Sequence, residues 1–151
     1  MTNNKIKYID LGKNFKKIKN ALFSQITKIG NKGDFILGPK IKEFENKLKN
    51  FTKSKFAVTC ANGTDAIEIS LKILNIKNGD EVITTANTWI SVASAILSVG
   101  AKPIFVDIDK SLNIDPTKIE KFISKKTKCI IIAHLNGLPS NIEKIIKITK
   151  K

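Results

Sequence analysis

The chain has 151 residues, 42% of them hydrophobic and 26% charged, with a formal net charge of +14. That length supports one domain with a real core but not two complete ones, and the balance excludes disordered and fibrous classes. The longest apolar run is about six residues against the roughly 20 needed to cross a bilayer, so no transmembrane helix is expected.

The first ten residues are polar and lysine-bearing, with no apolar stretch of signal-peptide length, which gives the expectation of a cytoplasmic protein. All 27 basic residues are lysines. Nucleic-acid readers favour arginine, whose planar fork matches phosphates and guanine edges, and they gather charge on one face. Here the lysines are spread through nearly every segment, so neither a nucleic-acid nor a membrane partner is expected. The positive field remains suited to steering a phosphorylated substrate. Cys60 and Cys129 lie at apolar segments without CxxC or Cys/His spacing and read as reduced core thiols; no metal site is expected.

In chain order, Phe15, Ile18, Ala21, Leu22, Ile26 and Ile29 recur at helical spacing and predict an amphipathic helix over residues 14–29, ended by Gly30. The turn cluster 31–34 and the apolar patch 35–37 lead to Gly38-Pro39, and Pro39 suits the first turn of a second helix carrying Ile41, Phe44, Leu48 and Phe51 on one face. From Lys55 the pattern becomes short apolar runs alternating with helical segments, the mark of a parallel α/β sheet. Strands are expected at 56–60, 81–84, 103–106 and 129–133. Helices are expected at 64–74, 90–98 and 116–123, with another opening at 142–148. This divides the chain into an N-terminal helical arm, 1–54, and a partial α/β domain, 55–151.

Two strand-to-helix junctions carry candidate chemistry. In Ala61-Asn62-Gly63-Thr64-Asp65, small residues let backbone N–H groups converge at a helix N-terminus, whose dipole favours an anion, and Thr64 adds a hydroxyl. The spacing is neither GxGxxG nor GxxxxGK[ST], and the same residues also read as an ordinary helix start capped by Thr64 or Asp65. At Thr85-Ala86-Asn87-Thr88-Trp89, the chain's one tryptophan follows a strand end, where ligand groups gather in open α/β sheets. Its indole suits stacking on a planar ring, with Asn87 and Thr88 as polar contacts; a core or interface aromatic is the other reading. One junction suited to phosphate beside one suited to an aromatic ring describes a phosphorylated heteroaromatic cofactor.

The ordered series Tyr8-Ile9-Asp10-Leu11, Phe35-Ile36-Leu37-Gly38-Pro39, Asn62-Gly63-Thr64-Asp65-Ala66 and Gly79-Asp80-Glu81-Val82-Ile83 resembles the DegT/DnrJ/EryC1/StrS aminotransferases. So do Asn87-Thr88-Trp89-Ile90, Gly100-Ala101-Lys102-Pro103, Val106-Asp107-Ile108-Asp109, Asn113-Ile114-Asp115-Pro116, Thr127-Lys128 and His134-Leu135-Asn136-Gly137, collinearly over nearly the whole chain. The resemblance implies an α/β fold, the incomplete large domain of the fold-type I (aspartate aminotransferase-like) transferases that use pyridoxal 5'-phosphate. It implies a homodimer with active sites shared across it. It also implies phosphate contacts from Gly63, Thr64 and Asp65, largely through backbone amides, and stacking of Trp89 on the pyridine ring. Family members mostly transfer an amino group from glutamate to a keto group on a nucleotide-linked sugar, for polysaccharide, lipopolysaccharide or antibiotic sugars.

Such an enzyme also needs a carboxylate for the ring nitrogen and a lysine that holds the cofactor and moves protons. In the family these follow the helix that opens near Ile142, so the lysine is expected beyond Lys151 and none of the 27 lysines is assigned to it. The chain alone is then expected to be an inactive fragment. A sister dehydratase using pyridoxamine phosphate and a non-catalytic product are the alternatives. Leu138 departs from the glutamine the family more often shows there. His134, the one histidine, reads as a structural or oligomer-contact residue, and the Asp107/Asp109 pair as structural. Asp80 and Glu81 read as a solvated turn before a strand.

Overall fold

The computed structural model describes residues 8–150, and the chain divides into two compact units between Thr59 and Cys60. Met1 to Lys7, which carry part of the expected polar N-terminus, lie outside the described residues.

In the first unit, α1 (Leu11–Lys32) begins at Asp10, whose carboxylate accepts the Lys13 N–H at 2.9 Å, and ends on Gly33 in the left-handed conformation. The helix outruns the expected 14–29 at both ends. Gly30 lies inside it, because Gly33, at φ 72°, supplies the left-handed turn that releases the chain. The following turn needs a glycine at 38, where a Cβ would stand 2.5 Å from the Asp34 carbonyl oxygen. Helix α2 (Pro39–Thr52) starts on its proline as expected.

The strand expected at 56–60 is absent. Phe56 and Val58 are exposed while Ala57 and Thr59 are half-buried, the alternation of a strand, but no ladder forms. The Thr59 N–H goes instead to the Glu45 carboxylate at 2.9 Å. Alternation prepares a segment for pairing without supplying the partner.

The second unit runs α3 (Gly63–Ile73), β1 (Glu81–Thr84), α4 (Ile90–Ser98), β2 (Lys102–Phe105), α5 (Pro116–Ile119), β3 (Thr127–Ile130) and α6 (Ile142–Thr149). The strands form a parallel sheet in the order β2-β1-β3, with Ile83 opposite both Ile104 and Ile130. Side chains alternate across the pleat, and each face of β1 feeds a separate core. Val82 packs with Leu71 of α3 and Val92, Ala95 and Ile96 of α4. Ile83 packs with Val106, Ile114, Ile119 of α5 and Ile145 of α6. Burying each such Leu, Ile or Val contributes about 1.5–3 kcal/mol.

Several expectations shift in this unit, the strand expected at 129–133 running instead over Thr127–Ile130. The helix expected at 116–123 is four α-helical residues followed by a tight 3₁₀ turn, Glu120–Phe122. Once Ile119 is buried, the chain must turn at once to reach β3. Glu81, read both as part of a turn and as the start of the strand 81–84, is the first, half-buried residue of β1, and its carboxylate accepts the Ser124 hydroxyl at 2.6 Å.

Candidate functional site

The order β2-β1-β3 makes the end of β1 a switch point: the chain leaves it through α4 to one neighbour, and the other neighbour is reached later through α5 on the opposite face. Open α/β sheets bind ligands at the carboxyl ends of such strands. The loops after β1, β2 and β3 all emerge at that edge. Helix α3 joins β1 through the short stretch 74–80 and packs on α4, so its N-terminus faces the same edge. Topology thus brings Gly63, Thr64 and Asp65 to the edge that carries Trp89.

At the start of α3, the cap is neither Thr64 nor Asp65 but Asn62, whose side-chain oxygen accepts the Asp65 N–H at 2.9 Å. The Asn62 carbonyl accepts the Ala66 N–H. Of the four orphan donors of the first turn, the cap thereby satisfies that of Asp65, while the Ala66 bond is the first of the helix's own ladder. The N–H groups of Gly63 and Thr64 and the Thr64 hydroxyl make no hydrogen bond among the described residues. A Cβ added at Gly63 would meet nothing within 4 Å. Two adjacent amides, a hydroxyl and open space at a helix N-terminus fit the phosphate of the expected cofactor. Asp65 brings its carboxylate to the first turn, with its own amide already engaged.

Trp89 precedes α4 as its N-terminal cap residue and is 76% exposed, so it is not a core aromatic in this unit. Asn87, expected to meet the ring, instead donates its side-chain N–H to the Leu112 carbonyl at 2.9 Å and braces the loop. Thr84 and Thr85 are buried at the end of β1, and the Thr84 hydroxyl has no partner among the described residues.

The other candidates are placed as structure. Asp107 pairs with Lys118 at 2.8 Å, and the hydrogen bond from Lys118 holds its carboxyl below the usual carboxylate range. Asp109 accepts from the Ser111 N–H and hydroxyl in a local turn. No cluster of potential metal ligands occurs among the described residues. His134 Nδ1 accepts the Ser140 N–H at 3.1 Å. Cys60 is exposed, contrary to the expected core thiol, because its segment forms no strand. Cys129 is half-buried in β3, and desolvation pushes its thiol up.

Comparison with known proteins decides the class. The family model for the DegT/DnrJ/EryC1/StrS aminotransferase family matches residues 16–151. The chain belongs to that family. It is 38% identical over 147 residues to UDP-2-acetamido-2-deoxy-3-oxo-D-glucuronate aminotransferase from Pseudomonas aeruginosa, a match covering 97% of this chain and 41% of that protein. Among solved structures, a DegT DnrJ EryC1 StrS aminotransferase from Brucella abortus superposes with TM-score 0.89 at 34% identity, over 97% of this chain and 41% of that one. NtdA from Bacillus subtilis, solved with bound cofactor PMP, gives TM-score 0.84 at 33% identity over 99% of this chain and 36% of that one. The chain therefore spans about 40% of the length of the relatives it matches.

Membership in the DegT family carries the α/β fold with it. The sequence did not disclose the Asn62 cap over its neighbours, nor Asn113, whose side chain is buried between two loops at the same edge. A polar residue just before a helical pattern was the available signal for Asn62. Nothing local signalled Asn113.

Proposed function

We propose that the protein is an aminotransferase that uses pyridoxal 5'-phosphate to move an amino group from glutamate to the keto carbon of a nucleotide-linked sugar. The observation that carries this reading is the pairing, at one sheet edge, of two unbonded amides at the start of α3 with the exposed Trp89 indole at the start of α4. The relatives named for sugar aminotransfer support it.

In this reading the N–H groups of Gly63 and Thr64 and the Thr64 hydroxyl bind the cofactor phosphate. The dipole of α3 adds to its negative-charge preference. Asp65 shapes the first turn, and the Trp89 face fixes the plane of the pyridine ring. Bound, the cofactor would supply an electron sink and would carry the amino group between donor and acceptor. The lysine that holds it is assigned to sequence following Lys151, so residues 55–151 supply part of a cofactor-binding large domain and residues 1–54 a helical arm. The working protein is a cytoplasmic homodimer serving polysaccharide or lipopolysaccharide sugar synthesis. Among the described residues no helix is long and apolar enough to cross a membrane.

The test is to read the coding DNA past codon 151, express the open frame, and assay glutamate-dependent amination of nucleotide-linked keto sugars with pyridoxal 5'-phosphate. A lysine-bearing continuation and a yellow, active protein are expected. Loss of a sugar hydroxyl without amino transfer would replace this reading with the sister dehydratase. A stop codon and a colourless, inactive product would leave a scaffold without the chemistry.

A further inference from the structure

Three loops leave the carboxyl edge of the sheet, and two asparagine side chains stitch them together. Asn113, in the loop after β2, is 2% exposed. Its side-chain oxygen accepts the Leu135 N–H at 3.0 Å, and its amide nitrogen donates to the Leu138 carbonyl at 3.1 Å and to the Ser111 hydroxyl at 3.3 Å. The carboxamide thereby bridges both ends of the one-turn 3₁₀ segment after β3, in which the Leu138 N–H also bonds the Leu135 carbonyl at 2.9 Å. The residue before it, Leu112, is held at φ 65°, a left-handed conformation that costs a non-glycine residue energy and persists only where its surroundings enforce it. The Leu112 carbonyl is the one that accepts the Asn87 side chain from the loop after β1. Asn87 lies two residues before Trp89.

We infer that Asn113 is a positioning residue for Trp89. Anchored to the loop after β3, it holds the strained Leu112 turn so that the Leu112 carbonyl faces Asn87, and Asn87 then fixes the loop from which the indole projects. The link runs through one carbonyl, so the two asparagines act in series. Its value for amino transfer rests on the reading that Trp89 stacks on the cofactor ring; the mechanical link does not.

Trp89 is the chain's one tryptophan, so its fluorescence reports the link directly. The experiment compares steady-state anisotropy of cofactor-free wild-type chain, Asn113→Ala, Asn87→Ala and the double variant, followed by quenching of the same emission by pyridoxal 5'-phosphate. Each single variant should lower the anisotropy, and the double variant should lower it no further than the larger single effect, because groups acting through one contact are not additive. The concentration of pyridoxal 5'-phosphate for half-quenching should rise about fivefold in each. Unchanged anisotropy in the singles, or additive losses in the double, would overturn the inference whatever the cofactor does. If the anisotropy behaves as expected but the wild-type emission does not respond to pyridoxal 5'-phosphate, the link stands and the cofactor reading of Trp89 falls. Should Asn113→Ala fail to fold, Asn87→Ala at its half-buried position carries the test alone: no loss of anisotropy there overturns the link.

Discussion

The Asn62 side-chain oxygen holds the Asp65 N–H at 2.9 Å, so the chain closes one corner of the α3 N-terminus and leaves the Gly63 and Thr64 amides without a hydrogen bond among the described residues. Replacing Asn62 with alanine should therefore remove a working helix cap and lower stability by about 1 kcal/mol. The shift of the urea midpoint measures it. An unchanged midpoint would mean that the helix start is held by something other than Asn62.

Gly63 and Trp89 should separate binding from folding. A side chain at Gly63 enters open space, so Gly63→Val should leave the denaturation midpoint close to wild type apart from the loss of glycine's backbone freedom, while obstructing an incoming phosphate. Trp89→Ala removes a stacking surface worth on the order of 1 kcal/mol. Titration with pyridoxal 5'-phosphate, followed by the cofactor's own absorbance, should show weaker binding for both. Equal affinity in Gly63→Val would take the phosphate away from α3.

The two thiols should react on different timescales. Cys60 is exposed, whereas burial raises the Cys129 thiol and so depletes its reactive thiolate near neutral pH. A chromogenic disulfide reagent should give one fast equivalent, lost in Cys60→Ser, and one slow equivalent that speeds up in denaturant. Two equivalents of equal rate would contradict the burial of Cys129.

Acid should erode stability through the carboxylates whose folded values are lowered. Glu43, bonded by Lys40 and Lys47, falls from 4.5 to about 2, and Glu68 and Asp107 are lowered by hydrogen bonds from Lys72 and Lys118. Each binds protons less readily folded than unfolded, so its contribution is present above the ordinary carboxylate value and is lost as pH falls through the folded one. For Glu43 that window runs from 4.5 down to about 2. The effect is small because the pair is exposed to solvent and salt. Glu43→Gln should flatten the fall in melting temperature across this range, and 1 M salt should flatten it further.

Much of the architecture was legible because it is written in periodicity. The 3.6-residue repeat places α1 and α2, and short β-branched runs between helical stretches place β1, β2 and β3; β1 and α4 have the expected bounds. Legibility ended where a group's partner lies far along the chain. The 56–60 segment has a strand's alternation but depends on a neighbour's backbone that no local pattern describes. Asn113 stands in the sequence only as part of the Asn113-Ile114-Asp115-Pro116 match, and nothing there tells that its side chain reaches positions 22 and 25 residues away. Asn87 looks like a ligand contact until Leu112, 25 residues on, claims it. At the candidate site, residue types suggested a place, and the hydrogen bonds show which atoms are already engaged within the chain.

The sheet ends at β3, whose outer side pairs with no strand among the described residues and borders a groove of about 520 Å³ lined by Ile123, Thr127, Cys129, Ile130 and Ile148. Unpaired strand edges recruit other strands, and β3 carries only one charged residue, Lys128, to discourage them. A strand added there would extend the sheet and close the groove over Cys129.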